Sequence, residues 1–90
     1  MPLVSFANDI APLFRPTDLG CMARFGVSLD DYGYMSDPTG NGAFADHANA
    51  RDVYAHLTGD AQPQMPQGGP YWPTEQLDLF AQWMTDGFLP

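Results

Sequence analysis

The sequence contains no lysine, and its only basic side chains are Arg15, Arg24 and Arg51, against eleven acidic ones. The net charge is −8. Binding to a phosphate backbone needs clustered Lys and Arg, so nucleic acid is excluded as a partner. Docking on an anionic membrane surface is excluded on the same ground. No apolar run approaches the roughly 20 residues that cross a bilayer. The first ten residues hold Ser5, Asn8 and Asp9 and no base, which is not the pattern of a secretory signal, so a cytoplasmic location is expected. A single cysteine, Cys21, excludes an internal disulfide and any multi-cysteine zinc site. No segment alternates apolar and polar residues as a half-buried strand does.

What is present is aromatic: six Phe, four Tyr and two Trp among 90 residues. Each such ring buries on the order of 150–250 Å², so a chain this short can fold as one domain over residues 1–90 without a cofactor. Nine Pro and nine Gly imply long irregular stretches between short helices.

The helical periods fall in five places. Phe6, Ile10, Leu13 and Phe14 share one face of a helix over residues 5–14, capped by Ser5 and stopped by Pro16. Thr17 or Asp18 caps a shorter helix over 19–25, closed by Gly26. Leu29, Tyr32 and Met35 share a face across a single turn that Gly33 weakens. Residues 36–42, Ser-Asp-Pro-Thr-Gly-Asn-Gly, are turn chemistry. A third helix is expected over 44–57, with Ala48, Ala50, Val53, Tyr54 and Leu57 on its apolar side. Pro63, Pro66, Gly68, Gly69, Pro70 and Pro73 leave no room for an element between 60 and 73. A last helix starts with Thr74 as N-cap, carries Leu77, Phe80, Ala81 and Met84 on one face with Leu79 and Trp83 beside it, and ends at Gly87. The reading is all-α: three main helices plus a short one, joined by long Pro/Gly-rich loops.

Several pieces, in order, resemble a bacterial class I cytochrome c domain: Asp9-Ile10-Ala11-Pro12-Leu13-Phe14; Val53-Tyr54 with Leu57; Met65-Pro66-Gln67-Gly68-Gly69; Trp72-Pro73-Thr74-Glu75-Gln76; and Trp83-Met84 with Asp86-Gly87. The resemblance covers about residues 6–88 and implies a small cytochrome c-like bundle in which Met65 would stand at the distal haem ligand. The attachment motif departs from the family. Covalent attachment uses Cys-x-x-Cys-His, two thiols for the haem vinyls and a nitrogen for iron. The run here is Cys21-Met22-Ala23-Arg24-Phe25, with Arg24 at the second thiol and Phe25 at the proximal ligand. The implied protein is haem-free, and Met22, Phe25, Tyr32, Tyr34, Met35, Phe44, Tyr71 and Trp72 are available to fill the volume.

The expected function is therefore a non-catalytic, haem-free accessory or protein-interaction domain, a small subunit or partner of a larger redox-related bacterial enzyme. Tyr71 and Trp72, in a rigid Pro-bounded loop, and Phe88, in an apolar tail, are the candidate interaction residues. The alternative is an electron-transfer protein holding haem non-covalently or by one thioether at Cys21, with Met65 axial.

Other constellations lead to less. His47 and His56 lie nine residues apart on one predicted helix, about 13–14 Å along its axis, and cannot share a metal within it. Each could ligate haem or copper with Met65, Met35 or Cys21, but a surface His beside Asp46 or Asp52 is the expectation. Cys21 has Arg24 one turn away to favour a thiolate, but no base in reach, so an inert thiol is expected. Residues 37–42 start like a calcium loop, yet the twelfth position is Ala48 rather than Glu. Asp30 and Asp31 read as a solvated face.

Overall fold

The computed structural model describes residues 3–24, 26–62, 64–65 and 71–90, and of Cys21 only the backbone. Helices are the regular elements of the described residues, with no strand among them. The radius of gyration is 12.2 Å, matching the ~12 Å that length scaling gives for a compact chain of this size.

The first segment is helical but not an α-helix. Phe6–Ile10 forms a π-helical turn and Ala11–Leu13 a 3-10 turn. Ser5 caps the start as expected: its hydroxyl accepts from the Asn8 N–H at 3.2 Å, and the Asp9 carboxylate accepts from the Ser5 N–H at 2.8 Å. Pro12 explains the departure. In an α-helix its ring would meet the Asn8 carbonyl and its missing N–H would break the ladder. The wider turn, closed by Ala11 N–H to the Phe6 carbonyl, followed by a tighter one, absorbs the conflict.

Pro16 does not merely stop the preceding segment; it opens the next. Helix α1 runs Pro16–Ala23. Its N-cap is Arg15, and Pro at the first helical position costs no hydrogen bond. Asp18 does not cap from the front as expected but reaches back from the third position. It accepts from the Arg15 N–H at 3.2 Å and takes the guanidinium in a two-pronged ion pair at 3.1 Å. Gly26, at φ +76°, closes the helix: its N–H bonds the Ala23 carbonyl and the Val27 N–H bonds the Met22 carbonyl.

Helix α2 is the single turn Tyr32–Met35, capped by the Asp31 carboxylate on the Gly33 N–H. Helix α3 runs Ala48–Thr58, four residues later than the apolar pattern suggests. Residues 37–47 are held instead as a loop that takes the helix's first donors: His47 N–H bonds the Pro38 carbonyl and Ala48 N–H bonds the Thr39 carbonyl. The loop folds back so closely that a Cβ on Gly40 would run into the Ala45 carbonyl. Gly59, at φ +90°, ends α3.

Helix α4 runs Thr74–Thr85 with Pro73 at the N-cap, so Thr74 is its first residue and not its cap. Phe80 and Trp83 are its fully buried residues; Leu77, Leu79 and Met84 are half-buried against the core. Trp83, expected beside the apolar stripe, lies at its centre. The N-terminal turns pack on α4, α3 packs on α4, and α2 on α3. Their shared interior is Phe6, Ile10, Phe14, Met35, Ala50, Val53, Leu57, Trp72, Phe80, Trp83 and Phe88.

Phe80 is 0 % exposed and in edge contact with both Trp72 and Trp83. Phe80→Ala should cost about 3–5 kcal/mol, read as the shift in urea midpoint at unchanged slope. A loss under ~1 kcal/mol would mean the interior collapses onto the vacated volume.

Candidate functional site

The expected site residues fall in different environments. Tyr71 is exposed at 53 %. Trp72 is buried, its ring 5.3 Å from Phe14 and 6.3 Å from Phe80 between centroids. Phe88 is buried as well. The expectation that all three form an outward docking patch therefore fails for Trp72 and Phe88. Their apolar surface is worth more against Phe14, Phe80 and Trp83 than in water. Of the interior fillers, Met35 and Trp72 are buried, Met22, Tyr32 and Tyr34 are half-buried against the core, and Phe44 is half-buried. Phe25 and residues 66–70 lie outside the described residues, as does the Cys21 side chain. Met65 is half-buried against the core, and its N–H bonds the His56 carbonyl at 2.8 Å.

The structure assembles a cluster that the sequence leaves scattered. Asp46 and His47 end the loop before α3, Arg51 follows one turn into it, and Phe88 comes from the tail. Phe88 and His47 stack face to face, 3.7 Å between centroids and 2° from parallel. They are the two non-glycine residues with positive φ among the described ones, +57° and +46°. The left-handed conformation costs roughly 1–2 kcal/mol per residue, and at both positions the surroundings hold it. His47 is fixed by its N–H bond to Pro38. Phe88 is fixed by its N–H bond to the Trp83 carbonyl, an edge contact with the Trp83 ring at 5.2 Å, and the Tyr32 hydroxyl donating to its carbonyl at 2.7 Å.

The polar rim of the cluster is built on Asp46. His47 Nδ1 lies 2.7 Å from its carboxylate, and Arg51 donates to its carbonyl and carboxylate. These hydrogen bonds, His47 first and Arg51 second, hold the Asp46 carboxyl below its ordinary range. An ionised carboxylate only accepts, so Nδ1 carries the proton and Nε2 is the ring's other position for ligands. The Arg51 guanidinium also lies 5.8 Å from the Phe88 centroid, within cation–π range. Asp37 starts the same loop, and its carboxyl is likewise lowered, chiefly by the Thr39 N–H.

A second polar group surrounds Tyr34 on the other flank of α3. Asn49 donates to the Tyr34 carbonyl, and burial together with the Asp52 charge pushes the Tyr34 hydroxyl up. His56 lies 3.8 Å from Asp52. His47 and His56 thus each face an acidic neighbour, as expected. His47, however, precedes α3 rather than riding on it. No cluster of three His, Cys, Asp or Glu side chains suited to a metal occurs among the described residues. Residues 37–42 form a loop in which Asp37 Oδ1 accepts from the Thr39 N–H and Asn41 Oδ1 from the Ala43 and Phe44 N–H groups. No helix is long and apolar enough to cross a membrane among the described residues.

Compared with known proteins, the chain matches no family model, no curated protein and no solved structure.

Two outcomes follow. His47→Asn keeps a residue tolerant of positive φ but removes the ring, and should cost about 0.5–1.5 kcal/mol with a change in the near-UV signal of Trp83. The acid limb is the second. Asp37 and Asp46 have folded-state pKa values below their unfolded ones, so their contribution is present above the unfolded value and is lost as pH falls through the folded one. Thermal midpoints should therefore drop below about pH 4, and Asp46→Asn should flatten that drop.

Proposed function

We propose that this chain is a haem-free cytochrome c-like domain that acts as a non-catalytic accessory: a small subunit or partner of a larger, redox-related bacterial enzyme. The observation that carries the reading is the pairing of a lost attachment site with an interior built from side chains. Cys21 stands alone where the family has two thiols, and Phe25 stands where it has a nitrogen ligand. Trp72 and Met35, both placed among the fillers by sequence, are buried against Phe14, Phe80 and the rest of the core.

The donors do not fit the family's haem. Met65 supplies a thioether, but the proximal position offers no nitrogen. His47 keeps Nδ1 on Asp46 and stacks on Phe88, and His56 sits beside Asp52; neither belongs to the Cys21–Phe25 run in which the family carries its proximal nitrogen. An accessory domain needs only a surface, and here that surface is acidic. Asp30, Asp31, Asp52, Asp60, Glu75 and Asp78 are exposed, while Arg15 and Arg51 are paired with Asp18 and Asp46. Such a field favours a partner with a basic face and speeds its encounter at low salt. Tyr71, exposed beside a buried Trp72 that anchors it, is the aromatic best placed to contact it.

Haem titration followed in the Soret region is the direct test, and no saturable shift is expected. A saturable shift lost in Met65→Ala would overturn the reading in favour of an electron carrier with Met65 as ligand. Purification from the native host extract at low ionic strength should retain a larger polypeptide at fixed stoichiometry, released by salt. Elution of the chain as a monomer with nothing retained would count against the accessory role.

A further inference from the structure

We propose that Asn41–Gly42 is a site of spontaneous covalent modification, at which the Asn41 carboxamide is converted through a cyclic imide into aspartyl and isoaspartyl forms. The step needs a main-chain nitrogen free to attack, an electrophilic carbon beside it, and stabilisation of the oxyanion formed. All three meet in this loop. Asn41, Gly42 and Ala43 are exposed. The Gly42 N–H makes no hydrogen bond among the described residues, and the absence of a Cβ lets that nitrogen approach its neighbour's side chain. Asn41 Oδ1 accepts two backbone N–H groups, Ala43 at 2.8 Å and Phe44 at 2.9 Å. These donors polarise the carboxamide and face the atom on which negative charge develops, as an oxyanion hole does.

The chemistry balances with water alone. Gly42 N loses its proton and attacks Asn41 Cγ; a C–N bond forms and Oδ1 takes the charge. Collapse of that adduct expels Nδ2 as ammonia, which carries the proton away. Water then opens the imide at one of its two carbonyls. Opening at the former side-chain carbonyl gives an aspartyl residue at position 41. Opening at the main-chain carbonyl gives an isoaspartyl residue.

The other two asparagines lack this combination. Asn8 is followed by Asp9, whose N–H is bonded to the Ser5 carbonyl at 2.9 Å. Asn49 lies in α3, its Nδ2 donating to the Tyr34 carbonyl, and is followed by fully buried Ala50.

The two products differ in consequence. An aspartyl side chain still accepts from Ala43 and Phe44 and adds one negative charge. An isoaspartyl residue routes the main chain through one more carbon, between the Asn41 N–H and the Phe44 carbonyl that it now bonds at 2.8 Å. The same loop delivers the Pro38 and Thr39 carbonyls to His47 and Ala48, so the isoaspartyl form loosens the seat of His47 on Phe88.

The folded protein, held at mildly alkaline pH and physiological temperature, is followed by peptide mass mapping and by ammonia release. The expected result is a mass gain of about one dalton at position 41 with equimolar ammonia, earlier than any change at Asn8 or Asn49. Gly42→Ala places its Cβ in open space, so it should keep the fold while slowing the reaction about tenfold. Asn41→Gln, with a longer side chain, should abolish the gain at that position. First conversion at Asn8 or Asn49, an unmodified Asn41, or an unchanged rate in Gly42→Ala would each overturn the proposal.

Discussion

The carbonyls of Phe88 and Leu89 are the acceptors on which the interior depends. The Tyr32 hydroxyl donates to the first at 2.7 Å, and the Trp83 indole and the Phe6 N–H donate to the second at 2.8 and 2.9 Å. Three elements distant in sequence converge on two consecutive peptide groups of the tail. Without them, two large rings would bury polar atoms unpaired, at a cost of about 1–3 kcal/mol each. Satisfied by the tail, Tyr32 and Trp83 contribute their apolar bodies to the core at no polar cost. The left-handed turn at Phe88 is what aims both carbonyls inward, and the His47 stack holds Phe88 in that turn.

The same economy governs charge. A chain with eleven acids and three arginines gains little by pairing charges at random. Two of the arginines are placed where they also organise backbone. Arg15 and Asp18 shape the start of α1; Arg51 and Asp46 shape the start of α3. The Arg51–Asp46 pair is exposed and contributes modestly, while in the other pair Asp18 is buried and Arg15 is exposed. Their value is geometric, since each fixes where a helix begins. The remaining acids are left to the solvent, where their mutual repulsion is screened over about 8 Å at physiological salt.

Much of the helical content was legible because it rests on local chemistry. The apolar spacing around Phe80, the Ser5 cap and the terminators Gly26, Gly59 and Gly87 act within one or two turns. The boundaries that slipped did so where a distant partner intervened. Helix α3 starts at Ala48 because the Pro38 and Thr39 carbonyls claim the donors of His47 and Ala48, and no local signal in residues 44–47 reports that. The first segment departs from α geometry because Pro12 has no N–H for the ladder, which the apolar spacing of Phe6, Ile10, Leu13 and Phe14 does not report. The His47–Phe88 stack was illegible for a stronger reason. It joins residues 41 positions apart, both in a backbone region their types seldom adopt, so propensity argues against each until the other is in place. Trp72 is open to two readings from sequence, display in a Pro-bounded loop or filling of the interior, and its ring lies against Phe14 and Phe80 as the second has it.

The stitching of residues 4–6 to residues 86–89 sets an order of events during synthesis. The Val4 N–H pairs with the Asp86 carboxylate, 82 positions along, and Phe6 with Leu89. At a translation rate of about 5–20 residues per second, the N-terminal turn waits on the order of 10 s for these partners to be made. During that interval Phe6 and Ile10, which end almost wholly buried, have no finished core to enter. Helices α1 and α3 can form behind the moving ribosome, but the interior closes only after the last turn of α4 and the tail have emerged. For this chain, the delay between residues 4–10 and residues 86–89 is therefore part of how the native state is reached.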